Sequence, residues 1–169
     1  SNPVNNNNDN PRIFLKSILK PLKGLEAVFE YTFDKNIYDY HWYTGQYDYT
    51  TIQGGSSKSF VDDYLRKYKQ HTNYNAINVY ATYSKKFGDH NFKVMAGFNQ
   101  ESSYQETLDA YSYNQAVIDV PAMGSGTGTI KATDSYSEYA VRGGFFRVNY
   151  NYQDKYLLEV NGRYDGSSK

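Results

Sequence analysis

The chain has no cysteine and no net charge: Lys and Arg total 18, and so do Asp and Glu. The first absence excludes a disulfide framework and any thiolate metal site. The second leaves no field to draw in nucleic acid or an anionic membrane surface. Long apolar runs are missing too. No stretch approaches the ~18 residues that mark a membrane helix. Apolar residues make up only 39% of the chain, and mean hydropathy is −0.79. What is plentiful is tyrosine, with 20 Tyr beside 9 Phe and 1 Trp, and glycine, with 13. Low hydropathy with abundant Tyr and Gly predicts β-structure. Such a composition is compatible with a membrane wall, because transmembrane barrels alternate polar and apolar residues and read as hydrophilic on average.

The ends are polar. Ser1-Asn2-Pro3 has no initiator Met and lacks the charged-then-apolar start of a secretory signal. Residues 1–11, with Asn5 to Asn8, Asp9, Asn10 and Pro11, read as a polar arm or loop. The chain stops in Asp165-Gly166-Ser167-Ser168-Lys169, a turn-like run after a strand pattern. A closed barrel ends on a strand, so the expectation is a piece of a longer protein.

Strand side chains alternate between faces, so a wall between lipid and water shows period two. Leu25, Ala27, Phe29, Tyr31 and Phe33 fall on one phase, against Glu26, Glu30, Thr32 and Asp34; Val28 is the exception. Ile77, Val79, Ala81, Tyr83 and Phe87 oppose Asn78, Tyr80, Thr82, Ser84 and Lys86. Phe92, Val94, Ala96 and Phe98 oppose Lys93, Met95, Gly97 and Asn99. Phe146, Val148, Tyr150 and Tyr152 oppose Arg147, Asn149 and Asn151. Tyr156, Leu158, Val160, Gly162 and Tyr164 oppose Glu159, Asn161, Arg163 and Asp165, with Leu157 breaking the polar side. Residues 13–20 form a noisier segment. Helical spacing fits none of these runs.

The connections alternate in length. Pro21-Leu22-Lys23-Gly24, Gly88-Asp89-His90 and Gln153-Asp154-Lys155 are tight turns of hairpin length. Between the hairpins lie long linkers, near 35–75 and 101–136. Compact soluble domains rarely carry structureless loops beyond ~15 residues, whereas outer-membrane barrels pair short periplasmic turns with long extracellular loops. Aromatics near both strand ends, Tyr83, Phe87, Tyr150, Tyr152 and Tyr156 by the turns and Tyr31 and Phe33 by a long loop, suit interfacial girdles. The fold class expected is therefore all-β. Antiparallel up-and-down hairpins would form part of a transmembrane β-barrel wall over residues 12–169, with about six strands and long extracellular loops. The competing reading is a soluble secreted β-sandwich that binds carbohydrate. It requires the apolar phases to meet in one interior.

The run from Phe145-Phe146-Arg147-Val148-Asn149-Tyr150 through Gln153-Asp154-Lys155-Tyr156 to Arg163-Tyr164-Asp165-Gly166-Ser167-Ser168 resembles a hairpin of SusC/RagA-type TonB-linked outer-membrane proteins of the Bacteroidetes. Asn78 to Tyr83, Phe87-Gly88-Asp89-His90-Asn91-Phe92 and Ala96 to Glu101 are similar to an earlier hairpin of that barrel, and Val120 to Gly128 to the loop between them. Gly143-Gly144-Phe145-Phe146 departs from the family, which more often has an aromatic followed by Phe-Gly before the Arg. The resemblance implies a large plugged barrel in the cell outer membrane that imports glycans or peptides. TonB and a SusD-like lipoprotein are then partners through the full-length protein. The plug, a TonB box and the remaining strands of a lumen that takes about 22 lie outside this stretch.

Chemistry-bearing motifs are few. Tyr38-Asp39-Tyr40-His41-Trp42-Tyr43, continued by Tyr47-Asp48-Tyr49, offers flat rings and carboxylates of the kind that bind sugar. Tyr38, Tyr40, Trp42 and Tyr43 are the candidate ligand contacts. Residues 59–68 carry a short-helix pattern, with Ser59 as cap and Phe60, Tyr64 and Leu65 on one face. Gly124-Ser125-Gly126-Thr127-Gly128-Thr129 lacks the Lys-Ser/Thr ending of a phosphate loop and reads as a flexible loop. His41, His71 and His90 sit in no metal-ligand spacing, and His90 reads as a turn residue. No Gly-x-Ser-x-Gly elbow and no acid/base pair appears, so neither enzyme activity nor a cofactor is expected. Arg147 and Glu159 are placed to face each other across their hairpin.

Overall fold

The structure is a computed structural model and describes residues 4–45, 47–49, 58–60 and 63–168. Its elements are β1 (Val4–Asp9), β2 (Arg12–Leu22), β3 (Leu25–Thr44), β4 (Tyr47–Tyr49), β5 (Lys58–Phe60), β6 (Tyr64–Phe87), β7 (His90–Tyr113), a single 3₁₀ turn (Met123–Ser125), β8 (Ile130–Tyr152) and β9 (Tyr156–Ser167). One sheet runs β1-β3-β6-β7-β8-β9, with β2 also paired to β3; β4 and β5 pair with each other. The β1–β3, β2–β3 and β8–β9 pairs are all antiparallel.

The tight turns fall where the sequence places them. Gly24 closes the first with φ +87°, a conformation that glycine reaches without strain. A Cβ there would lie 2.3 Å from the Ser84 carbonyl oxygen, and the Ser84 amide donates to the Gly24 carbonyl at 2.8 Å. Gly88 supplies φ +55° in the second turn, and Gln153 and Asp154 take φ +54° in the third.

Three expectations about the linkers are corrected. The first is the polar arm. Val4–Asp9 is a strand whose Asn side chains do not prevent an antiparallel register from Val4 against Trp42 to Asp9 against Ile37. Backbone groups make that ladder, so polar side chains are no obstacle. The break comes at Pro11, whose carbonyl accepts from the Lys35 amide at 3.0 Å. The second is loop length. β3 continues to Thr44, β6 begins at Tyr64, β7 ends at Tyr113 and β8 begins at Ile130. Much of 35–75 and 101–136 is therefore strand. The third is the helix over 59–68. Ser59 and Phe60 lie in β5 and Tyr64 to Tyr68 in β6; Val61 and Asp62 lie outside the described residues. Pairing with neighbouring strands overrides a capping pattern whose helix would be under three turns long.

The chain divides into two units. Unit 1 gathers Ser1–Asn10, Asn36–Thr72 and Gln105–Ser137; unit 2 gathers Pro11–Lys35, Asn73–Tyr104 and Glu138–Lys169. In unit 2 the apolar phase does not form an interior. Phe29, Val79, Val94 and Leu158 are 43%, 43%, 41% and 60% exposed. No second layer covers them among the described residues, so the shared core that a sandwich requires is not found there. The opposite phase is a polar lattice. Arg12–Asp34 (3.2 Å), Lys16–Glu30 (2.8 Å) and Lys20–Glu26 (3.2 Å) form three rungs between β2 and β3. Asn99 donates to Asn78 at 2.6 Å, and Tyr74 to Glu101 at 2.8 Å.

Arg147 and Glu159 form the expected ion pair across their hairpin, though from diagonal rather than directly opposed positions. Arg147 opposes Asn161, and Glu159 opposes Asn149. Arg147 donates from Nε to Asn161 at 2.7 Å and reaches Glu159 only diagonally, at 3.9 Å. The register sets this, because side chains one row apart meet on the diagonal.

Candidate ligand-binding face and membrane-facing wall

Two surfaces stand out, one in each unit. At the turn end of unit 2 an aromatic collar runs across β6 to β9. Phe87 meets Phe92 edge-on (6.5 Å between centroids), Phe92 lies 4.8 Å from Tyr150, and Tyr152 stacks with Tyr156 at 6.4 Å. His90 joins this collar. Its Nδ1 is 2.8 Å from the Tyr150 hydroxyl, and its ring centroid is 4.8 Å from that of Tyr152. Lys85 Nζ sits 4.5 Å over the Phe87 ring. Rings with polar tips at the rim of an apolar band are what a water–lipid boundary favours.

In unit 1 the strand extensions bring rings together on one face. Period two sets Tyr38, Tyr40 and Trp42 on the same phase of β3. Tyr38 meets the Tyr68 ring edge-on at 5.9 Å, and Tyr40 stacks on Trp42 at 6.3 Å with 17° between planes. On β7, Tyr111 stacks on Tyr113 at 6.4 Å and 15°; Tyr64 of β6 packs on both, at 6.1 and 5.9 Å. An ion pair sits among these rings. Arg66 donates from Nε and Nη2 to the two carboxylate oxygens of Asp109, each at 2.9 Å. Its guanidinium carbon lies 5.2 Å from the Tyr111 centroid and 5.8 Å from that of Tyr68. The hydrogen bond to Asp109 raises the Arg66 pKa above its already high ordinary value, so the guanidinium stays charged at any pH the fold survives.

Tyr43 is not on this face. It follows Trp42, so it points to the other side of β3, and it is only 6% exposed. Its hydroxyl and Asp63 Oδ1 are buried, with no hydrogen-bond partner among the described residues. Burial raises the Tyr43 pKa, and the nearby Asp63 carboxylate adds to the rise. The other Asp63 oxygen accepts from the Gln115 amide at 3.0 Å. Of the four sequence candidates, then, Tyr38, Tyr40 and Trp42 share the ring face and Tyr43 is withdrawn from it. The Tyr47 to Tyr49 continuation forms strand β4.

The segment after β7 is tied down rather than loose. Gln115 Nε2 donates to the Ser112 carbonyl and hydroxyl, both at 3.0 Å. Its Oε1 accepts from the Ala122 amide at 3.1 Å and the Ser125 hydroxyl at 2.7 Å. Gly126 approaches so closely that a Cβ would lie 2.1 Å from Ser112 Oγ.

Among the described residues no group of three His, Cys, Asp or Glu side chains could hold a metal ion. His71 Nε2 lies 3.9 Å from Asp39 Oδ1. Sequence reasoning missed Tyr64, Arg66, Tyr68, Asp109, Tyr111 and Tyr113. The signal was present as two period-two runs, Tyr-x-Arg-x-Tyr and Asp-x-Tyr-x-Tyr.

No family model matches the chain. It is 29% identical over 126 residues to TonB-dependent receptor P3 of Formosa agariphila, an alignment covering 73% of this chain and 12% of that protein. Among solved structures, the RagAB peptide transporter superposes with a TM-score of 0.84 at 16% identity, over 99% of this chain and 18% of that one. The RagAB peptide importer in its open-open state gives 0.82 at 17% identity, with the same coverage. The chain thus spans a small part of the proteins it matches. Its sheet, unclosed as it stands, has the fold of a stretch of RagA-like β-barrel wall, in keeping with the SusC/RagA-type hairpins that its sequence resembles.

Proposed function

We propose that the chain supplies six membrane-crossing strands to the wall of a larger outer-membrane importer of glycans or peptides. The strands pass on into extracellular extensions whose ring face touches substrate through Tyr38, Tyr40 and Trp42. The observation that carries this reading is the uncovered apolar phase of unit 2, bordered by the aromatic collar. Water disfavours such a surface, and acyl chains accept it. Strand length supports it as well. A tilted crossing takes about 9–11 residues, while β6 and β7 have 24 each. Each therefore reaches well past one bilayer crossing. TonB and a SusD-like lipoprotein would act through the remainder of the importer, closing the barrel and powering transport.

The test is to fold the full-length polypeptide carrying these strands into detergent. A closed barrel migrates faster on a gel unheated than boiled, and it resists extraction from membranes by carbonate. Migration indifferent to heating, with complete carbonate extraction, would contradict this reading.

A further inference from the structure

We propose that the ring face of unit 1 selects an uncharged, hydroxyl-rich chain, a neutral oligosaccharide, and that the Arg66–Asp109 fork sets this selectivity. The proposal rests on the reading of this face as substrate-contacting and names the class of substrate.

Charge is the first argument. An anionic ligand needs a cation whose charge is not already matched. Arg66 gives one N–H each from Nε and Nη2 to the Asp109 carboxylate, and the Tyr68 and Tyr111 rings lie near its guanidinium. The carboxylate is matched in turn, so the pair presents almost no net field. Another cation, Lys131, lies 5.7 Å from the Tyr113 ring at the β8 side and is exposed, where salt screens it. A charged ligand set down here would give up hydration with little in return.

Backbone availability is the second argument. A peptide usually gains affinity on a sheet by adding a strand to an edge. β3, β6 and β7 are interior in the sheet order, so their ladders are already engaged. What the face does offer is flat ring surface with phenolic hydroxyls. The near-parallel pairs Tyr40–Trp42 and Tyr111–Tyr113 supply it. Sugar C–H faces pack on such rings, and the hydroxyls exchange hydrogen bonds with the sugar's own.

The experiment uses the full-length polypeptide in detergent and titration calorimetry. The probes are maltohexaose, xylohexaose and mannohexaose, then hexagalacturonate, then a Gly/Ser hexapeptide blocked at both ends. At least one neutral hexaose should bind, with hexagalacturonate weaker by about tenfold or more. Asp109→Asn frees Arg66 and should bring hexagalacturonate to within about threefold of the neutral sugar. Should that variant fold poorly, the R66Q/D109N double variant removes both charges; it should keep the neutral sugar and still reject the acid. Equal affinity for acidic and neutral hexaoses, an unchanged ratio in a folded Asp109→Asn, binding of the peptide alone, or no binding by any probe would each overturn the proposal. Heat-modifiable migration is read on the same samples. If it persists while binding fails, only the selectivity falls; if it is lost, the barrel reading itself falls.

Discussion

Arg66 and Asp109 meet fork to fork on adjacent strands, with both hydrogen bonds at 2.9 Å and two tyrosine rings 5.8 and 5.2 Å from the guanidinium carbon. The side chains keep 35% and 26% of their exposure, so solvent screens much of the Coulomb attraction. Planarity and ring contact add to what remains. Arg66→Ala should lower stability by about 1 kcal/mol, mostly through lost packing and the bidentate geometry. Denaturant unfolding from detergent micelles measures it. Arg66→Lys should recover little, because a point charge cannot reproduce the fork.

Val79 and Asn78 are neighbours on opposite phases of β6. Val79→Arg places a cation on the surface assigned to acyl chains and should cost about 2–4 kcal/mol near the bilayer midplane. Asn78→Arg, on the polar lattice beside Asn99, should be close to neutral. The comparison is read as the fraction of heat-modifiable protein recovered on folding into lipid vesicles. Equal loss from both variants would mean that the two phases do not face different media.

Gly24→Ala should slow or prevent closure of the first hairpin. The site has φ +87°, and the new methyl would press on the Ser84 carbonyl. A strained non-glycine backbone costs roughly 1–3 kcal/mol before any clash is counted. The unfolding midpoint of the variant should fall accordingly, whereas Gly124→Ala, which meets open space, should leave it unchanged.

Tyr43 gives a pH dependence with a definite sign. Burial raises its folded pKa above the ordinary 10.0. Below pH 10 the hydroxyl is protonated in both folded and unfolded chains, and its contribution to stability is fully present. As pH rises past 10 the unfolded chain ionises first, and stability falls until the folded pKa is passed. Tyr43→Phe should flatten that part of the stability–pH curve. Because the hydroxyl has no hydrogen-bond partner among the described residues, the variant should cost less than about 1 kcal/mol at neutral pH. An unaltered slope above pH 10 would assign the dependence to other tyrosines.

Gln115→Ala removes one side chain that holds Ser112, Ala122 and Ser125 together. The segment between Gln115 and Gly126 carries exposed Val117, Ile118 and Val120. Once released, it should become the first site cut in limited proteolysis, with the wall strands left intact.

The wall was legible in the sequence because each medium imposes its own residue type. Phe29, Val79, Val94 and Leu158 alternate with polar neighbours, and short turns punctuate them. The extensions were less legible for the same reason turned round. Beyond Asn73 on β6 and Tyr104 on β7, Leu65, Leu108 and Ala110 are the aliphatic residues left among polar and aromatic neighbours, so apolar/polar alternation thins out although the backbone keeps pairing. Tyr64, Arg66 and Tyr68 then read as a helix or loop. Tyr38, Tyr40 and Trp42 were visible as a cluster, but that Tyr43 turns away follows only from strand pairing, which the cluster itself does not announce. Gln115 left no local sign, since its partners come together through the closure of the loop.

β6 and β7 are hydrogen-bonded neighbours in the sheet, and side-chain pairs link them. Asn78 faces Asn99, and six residues further along both strands Thr72 faces Gln105. Inserting or deleting one residue between these pairs would turn the outlying tyrosines to the reverse side of the strand. Kindred chains should therefore vary in the reach of these hairpins by even steps, and odd steps should appear only beside a bulge that restores the phase.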